Sequence, residues 1–193
     1  MDDLESRVDA AFAGVRREDF LPKKQRRHAA EDRPLPIGHG QTNSQPTTVR
    51  NMLHLLDVRP GHRVLDVGSG SGWATALLAT LVGPAGRVLG VEVVPHLAEV
   101  AQRNLDAVGQ AWVSVGLAEP GVLGRPADGP FDRILVSAEA RNVPVPLVEQ
   151  LARGGRMVIP VAGRLAVIDR GDEGAVGVRH VGHYAFVPLI WQP

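Results

Sequence analysis

Residues 63–92 read RVLDVGSGSGWATALLATLVGPAGRVLGVE, and the punctuation of that stretch decides the fold class. Val64 to Val67 is a short apolar run interrupted by one carboxylate, Asp66, as expected for a strand buried on both faces of a parallel sheet. The glycine-serine run from Gly68 to Gly72 turns the chain, and the apolar spacing from Trp73 to Val82 predicts a helix. Gly83 to Gly86 stops that helix, and a second buried strand, Val88 to Val91, ends on Glu92. Strand, glycine turn, helix, strand and terminal carboxylate form the βαβ unit that binds nucleoside-bearing cofactors. The glycine spacing narrows the ligand. A dinucleotide fingerprint needs a third glycine at position 73, where Trp73 stands, and no lysine follows the turn to meet a terminal phosphate.

The alternation continues on both sides. Leu4 to Val15 and Pro46 to Asp57 have helical apolar spacing, and Pro95 to Val108 forms a further helix that Gly109 caps. Strands are expected at Ala111–Val115, Phe131–Val136, Arg156–Val161, Leu165–Asp169 and Val178–Ile190, with a helix at Pro144–Ala152 stopped by Gly154-Gly155. Trp191 is expected to pack on the body. This pattern predicts a doubly wound α/β fold in one domain over 1–193, with helices and a loop in 1–60 preceding a core in 61–193. Glu31 to Pro46, EDRPLPIGHGQTNSQP, holds too many prolines and glycines for a continuous element and reads as a shaped loop.

Composition removes several function classes. Twenty-one basic and twenty-one acidic side chains cancel, so no general basic field points to nucleic acid, and the Lys23–His28 cluster reads as a solvated face. The chain has no cysteine, which excludes disulfides, thiolate metal sites and a cysteine nucleophile. Its seven histidines show only the weak His180/His183 spacing, so no metal is expected. No run reaches membrane-span length, and the amino terminus is acidic and polar, which together predict a cytoplasmic protein.

Three segments in order, REDFLP, PLPIGHGQTNSQP and VLDVGSGSGWATALLATLVG, resemble the protein-L-isoaspartate O-methyltransferase family over about residues 16–161. The resemblance implies a Rossmann-like class I methyltransferase sheet, mostly parallel with antiparallel C-terminal strands. It implies an S-adenosyl-L-methionine cofactor, an isoaspartyl-containing protein or peptide as substrate, and a monomer. Ser44 would be the catalytic residue, its hydroxyl orienting the substrate carboxylate. Gln41, Thr42, Asp66, Gly68, Ser69, Gly70, Gly72, Glu92, Val93, Leu117 and Ser137 would contact the cofactor, with Glu92 on the ribose. Four segments depart from the family pattern, one of them Ala138-Glu139-Ala140-Arg141, which puts charge where the family is typically small and apolar. Val115-Gly116-Leu117-Ala118-Glu119 lacks the usual aspartate after the third strand, the loop Val161–Leu165 is short, and Asn43 replaces an apolar residue. A related methyltransferase with another acceptor, and a silent nucleoside- or partner-binding domain, are the competing readings.

Overall fold

The computed structural model describes residues 4–191. Seven strands form one sheet: β3 (Arg63–Val67), β4 (Arg87–Glu92), β5 (Val113–Leu117), β6 (Phe131–Val136), β7 (Leu151–Val161), β8 (Arg164–Arg170) and β9 (Val176–Val181). Their order is β5-β4-β3-β6-β7-β8-β9, parallel as far as β7 and antiparallel from β7 to β9. The chain reverses its direction of travel across the sheet between β3 and β6, and such a switch point opens a crevice at the carboxyl ends of the strands. Alternate strand residues feed two cores. Val64, Val88 and Leu135 pack under the helices α1 (Leu4–Gly14), α2 (Pro46–Leu56), α3 (Trp73–Val82) and α4 (Pro95–Val108). Leu65, Leu89 and Ile134 face the opposite side, where the short α5 (Val145–Glu149) and Trp191 pack.

Helix α3 needs no polar face, because residues all round it are buried. Helix α2 is amphipathic, burying Val49, Met52, Leu53 and Leu56. It begins at Pro46 without a local side-chain cap; instead Asp32 accepts from the Thr47 amide at 2.8 Å, the Thr47 hydroxyl at 2.8 Å and the Gln45 amide at 3.0 Å. These bonds to the ionised form hold the Asp32 carboxyl below its ordinary range.

Five expected elements shift. The segment 31–46 contains a small antiparallel hairpin, β1 (Leu35–Gly38) with β2 (Gln41–Asn43), whose Gly38-His39-Gly40 corner has positive φ throughout. Leu35 and Ile37 bury against Leu21 and Leu97, so the hairpin lies on the N-terminal end of α4. Strand β5 starts at Val113, two residues later than its apolar run; Trp112 donates its indole N–H to the Ala79 carbonyl at 2.8 Å while its own carbonyl accepts from the Val88 amide at 2.9 Å. Helix α5 ends at Glu149 because Gln150 turns inward, bonding the Leu123 and Pro146 carbonyls and the Arg125 amide, each at 2.8 Å. Leu151 already belongs to β7, and Gly154-Gly155 is a bulge inside that strand rather than a helix stop. Finally, β9 ends at Val181, and the following segment leaves the sheet to run back over the strand ends.

Candidate functional site

At the carboxyl ends of β3 to β6 lies a cavity of about 470 Å³, in the range that holds small ligands. Its floor is the glycine turn Gly68–Ser71, where Gly68 and Gly70 have φ of 81° and 56°. With no side chains to interpose, the backbone of this turn can touch a ligand directly. A Cβ on Gly70 would sit 3.2 Å from Ile37 of the hairpin, so the turn also receives the β1–β2 loop closely.

Glu92, at the end of β4, is 4% exposed and lines the cavity. Its carboxylate accepts from the Gly70 amide at 2.8 Å and the Val94 amide at 2.9 Å. Each oxygen thus keeps lone-pair capacity while its orientation is locked by main chain, which suits the two hydroxyls of a ribose. Beside it, Val93 and Leu117 are 43% and 47% exposed, although large apolar residues elsewhere on these strands are buried. Exposed apolar surface facing a cavity suits a flat aromatic base.

Opposite the glycine turn, Gln41, Thr42, Asn43 and Ser44 supply another wall, and Ser137 closes the end of β6. Of the residues expected at the site, Gln41, Thr42, Ser44, Gly68, Ser69, Gly70, Glu92, Val93, Leu117 and Ser137 all line this one cavity. Asp66 and Gly72 do not. Gly72 has φ of 91° and its α-carbon faces Ala101 of α4, where a Cβ would come within 3.3 Å of that residue. Its role is close packing of the turn on α4.

Asp66 is wholly buried beneath the turn, accepting from the Thr75 hydroxyl at 2.6 Å, while its other oxygen has no partner. Burial, aided by the nearby Glu92 charge, pushes its carboxyl up to about 6 against the Thr75 bond. It is a support of the turn rather than a wall of the cavity.

The remaining walls were not legible. Val187 to Trp191 run across the cavity, held by the Glu139 amide donating to the Val187 carbonyl and the Leu189 amide donating to the Glu139 carbonyl, both at 2.8 Å. The only sequence signal was an apolar run, Phe186 to Trp191, broken by a proline. Gly121 to Gly124 form a further wall from a loop without periodicity. His39 sits at the hairpin corner outside the cavity lining, and among the described residues no group of three metal-ligating side chains occurs.

The profile of the family described as protein-L-isoaspartate(D-aspartate) O-methyltransferase matches residues 3–192. The chain belongs to this family. The protein-L-isoaspartate O-methyltransferase of Aeropyrum pernix is 50% identical over 188 residues, covering 95% of this chain and 72% of its own. That of Methanopyrus kandleri is 47% identical over 189 residues, covering 96% and 84%. A solved protein-L-isoaspartate O-methyltransferase superposes with a TM-score of 0.86 at 27% identity, covering 95% of this chain, which spans 61% of that one. A Plasmodium falciparum protein assigned to the same family, solved with S-adenosyl-L-homocysteine, superposes at 0.81 with 24% identity and shares the fold. Within the family fold, the short Val161–Leu165 connection is a tight hairpin, with Ala162 and Gly163 at φ of 47° and 78°. Glu119, the nearest carboxylate to the missing aspartate after β5, lines the cavity and faces Arg125 at 3.6 Å.

Proposed function

We propose that this protein is an S-adenosyl-L-methionine-dependent carboxyl methyltransferase acting on L-isoaspartyl residues of damaged proteins or peptides. Membership of the family supports the reaction, and one observation carries the assignment of residues: a single cavity presents Glu92 at one wall and Ser44 at another. The donor set fits the cofactor, with an oriented carboxylate for a diol, open backbone at Gly68 and Gly70, and apolar Val93 and Leu117 for a base. S-adenosyl-L-methionine, when bound, supplies an electrophilic methyl group on a sulfonium.

The acceptor carboxylate needs no general base, since its ordinary pKa of about 4 leaves it ionised at neutral pH. The chain's own residues therefore position rather than activate. The Ser44 hydroxyl donates to one oxygen of the acceptor and aims the other at the methyl. Gln41 and Thr42 shape the same wall, and the Val187–Trp191 segment with Leu117 keeps water from the reacting atoms. Asp66 takes no part in proton transfer.

No described helix is long and apolar enough to cross a membrane. A cytoplasmic monomer meeting diffusing polypeptides is consistent with the balanced charge and the absence of cysteine. Methyl transfer to an isoaspartyl peptide, compared with the same peptide carrying normal aspartate, tests the proposal. Transfer to the isoaspartyl form alone is expected; equal transfer to both, or to neither, defeats it and turns the search to another acceptor.

A further inference from the structure

A guanidinium is costly to bury, and Arg17 is 6% exposed, with all six of its hydrogen bonds going to neutral oxygens. On the arm entering the β1–β2 hairpin it donates to the carbonyls of Ala29 at 3.3 Å, Glu31 at 2.9 Å and Arg33 at 2.8 Å. On the arm leaving the hairpin it donates to the carbonyls of Asn43 at 3.2 Å and Ser44 at 2.9 Å, and through Nε to Asn43 Oδ1 at 2.8 Å. The plane of the fork thus clasps both arms, with its carbon 5.4 Å from the Trp73 ring centroid. Burial draws its pKa down to about 10, so the group stays cationic at neutral pH.

Asn43 extends the clasp. It is 5% exposed, and its Nδ2 donates to the Ser71 hydroxyl at 3.3 Å, within the glycine turn. Ser71 is in turn held by Asn104 of α4, which donates to its carbonyl at 2.9 Å. A continuous hydrogen-bonded path therefore joins the residue proposed to hold the acceptor to the turn proposed to hold the cofactor. Arg17 takes the Ser44 carbonyl and not its hydroxyl, so it sets where that hydroxyl stands without consuming it.

We infer that Arg17, acting through Asn43 and the main chain of Ser44, is a positioning residue that fixes the Ser44 hydroxyl relative to the glycine turn. This rests on the reading of Ser44 as the group that orients the acceptor. Burial alone could be satisfied by apolar side chains, but those would leave the five carbonyls on two chain arms without a common donor.

The test is a double-mutant cycle. Arg17→Lys keeps the charge and the stem but loses the planar fork; it is made alone and with Ser44→Ala. Alone, it should lower kcat on an isoaspartyl peptide on the order of 10- to 100-fold, the scale of a misplaced reacting group. Affinity for S-adenosylhomocysteine, read by calorimetry, should stay within about threefold. In the Ser44→Ala background, Arg17→Lys should cost no further turnover, because the group it positions is gone. A merely structural arginine would lower turnover by the same factor in both backgrounds, and that result, or a loss of cofactor affinity matching the loss of kcat, overturns the inference. Should Arg17→Lys fail to fold, Asn43→Leu, which leaves the carbonyl contacts of the guanidinium in place, runs through the same cycle with the same expectations. If Ser44→Ala alone leaves turnover unchanged, the acceptor reading falls and this inference with it; if Ser44→Ala slows the enzyme but the second loss is additive, only this inference falls.

Discussion

Glu92 and Asp66 stand on neighbouring parallel strands yet illustrate opposite uses of a carboxylate. Glu92 is oriented by two amides and reaches the cavity. Replacing it with Gln sets an amide group against one of those main-chain donors and removes a charged acceptor, worth about 1.5–3 kcal/mol. Affinity for S-adenosylhomocysteine should fall at least on the order of tenfold in a calorimetric titration; an unchanged affinity would mean that Glu92 braces the turn and does not touch the ligand. Asp66 reports through stability instead. Its folded pKa, about 6, lies above the ordinary value of 3.8, so between those values the folded protein holds a proton that the unfolded chain has released. Stability from this group is present in full below pH 3.8 and is lost as pH rises through 6. Asp66→Asn removes the titration, so the variant should gain on the wild type by about 3 kcal/mol between acid and neutral pH in urea unfolding. A pH-independent difference would count against a protonated Asp66. The strand-end position marks Glu92 for the ribose, whereas Asp66 is distinguished only in the fold: both are buried, but Glu92 is oriented by two amides and lines the cavity, while Asp66 lies under the turn with one oxygen unpartnered.

At the scale of elements, the decisive feature is the segment that follows β9. Its apolar residues predicted a strand to Ile190, whereas the sheet ends at Val181 and Gly182 turns the chain away at φ of 57°. The segment is pinned where the Tyr184 amide donates to Gly163 at 2.9 Å and Asn51 donates to the Tyr184 hydroxyl at 3.2 Å. It then pairs with Glu139 and lines the cavity. Ending the chain at Tyr184 keeps those pins and removes the wall. Cooperative unfolding should persist with a loss of roughly 2–4 kcal/mol, from two backbone bonds and partly buried apolar side chains. Cofactor-analogue affinity should weaken more than in any variant of a strand-end residue outside the cavity. A truncated protein that binds S-adenosylhomocysteine as tightly as the full chain would show that the segment is only a cover for the sheet. Strands β3, β4 and β6 were legible because apolar runs bounded by glycine or proline have few other solutions. The bulge at Gly154-Gly155 was not, since a paired glycine looks alike in a bulge and after a helix.

For the whole molecule, the cavity proposed to hold the cofactor is built from segments that are far apart in sequence. Gln41 to Ser44, Gly68 to Ser71, Glu92, Leu117, Ser137 and Val187 to Trp191 meet only in the folded state. A ligand that spans them binds the native protein and not the unfolded chain. At a concentration about 100 times its dissociation constant, S-adenosylhomocysteine should add about 2.7 kcal/mol of stability. For a chain of this length that corresponds to a rise in Tm of roughly 5–10 °C. Calorimetric scans with and without the ligand check it, and an unmoved Tm at saturating ligand would remove the site from consideration.

The sequence by itself determined the βαβ unit, the exclusion of a dinucleotide and the identity of ten cavity residues. Those features are local: a strand pattern, a glycine spacing and a motif each confine the backbone over a few consecutive residues. Arg17, Asn43 and the closing segment were decided only by tertiary structure. Arg17 opens the REDFLP segment that carries the resemblance, but nothing in that segment says what the guanidinium holds, and its meaning lies in acceptors that stand 12 to 27 residues away. Such partners are chosen by packing, because a buried guanidinium must take whichever carbonyls the fold brings to it. The glycine turn announces a site, and the fold decides which distant side chains complete it.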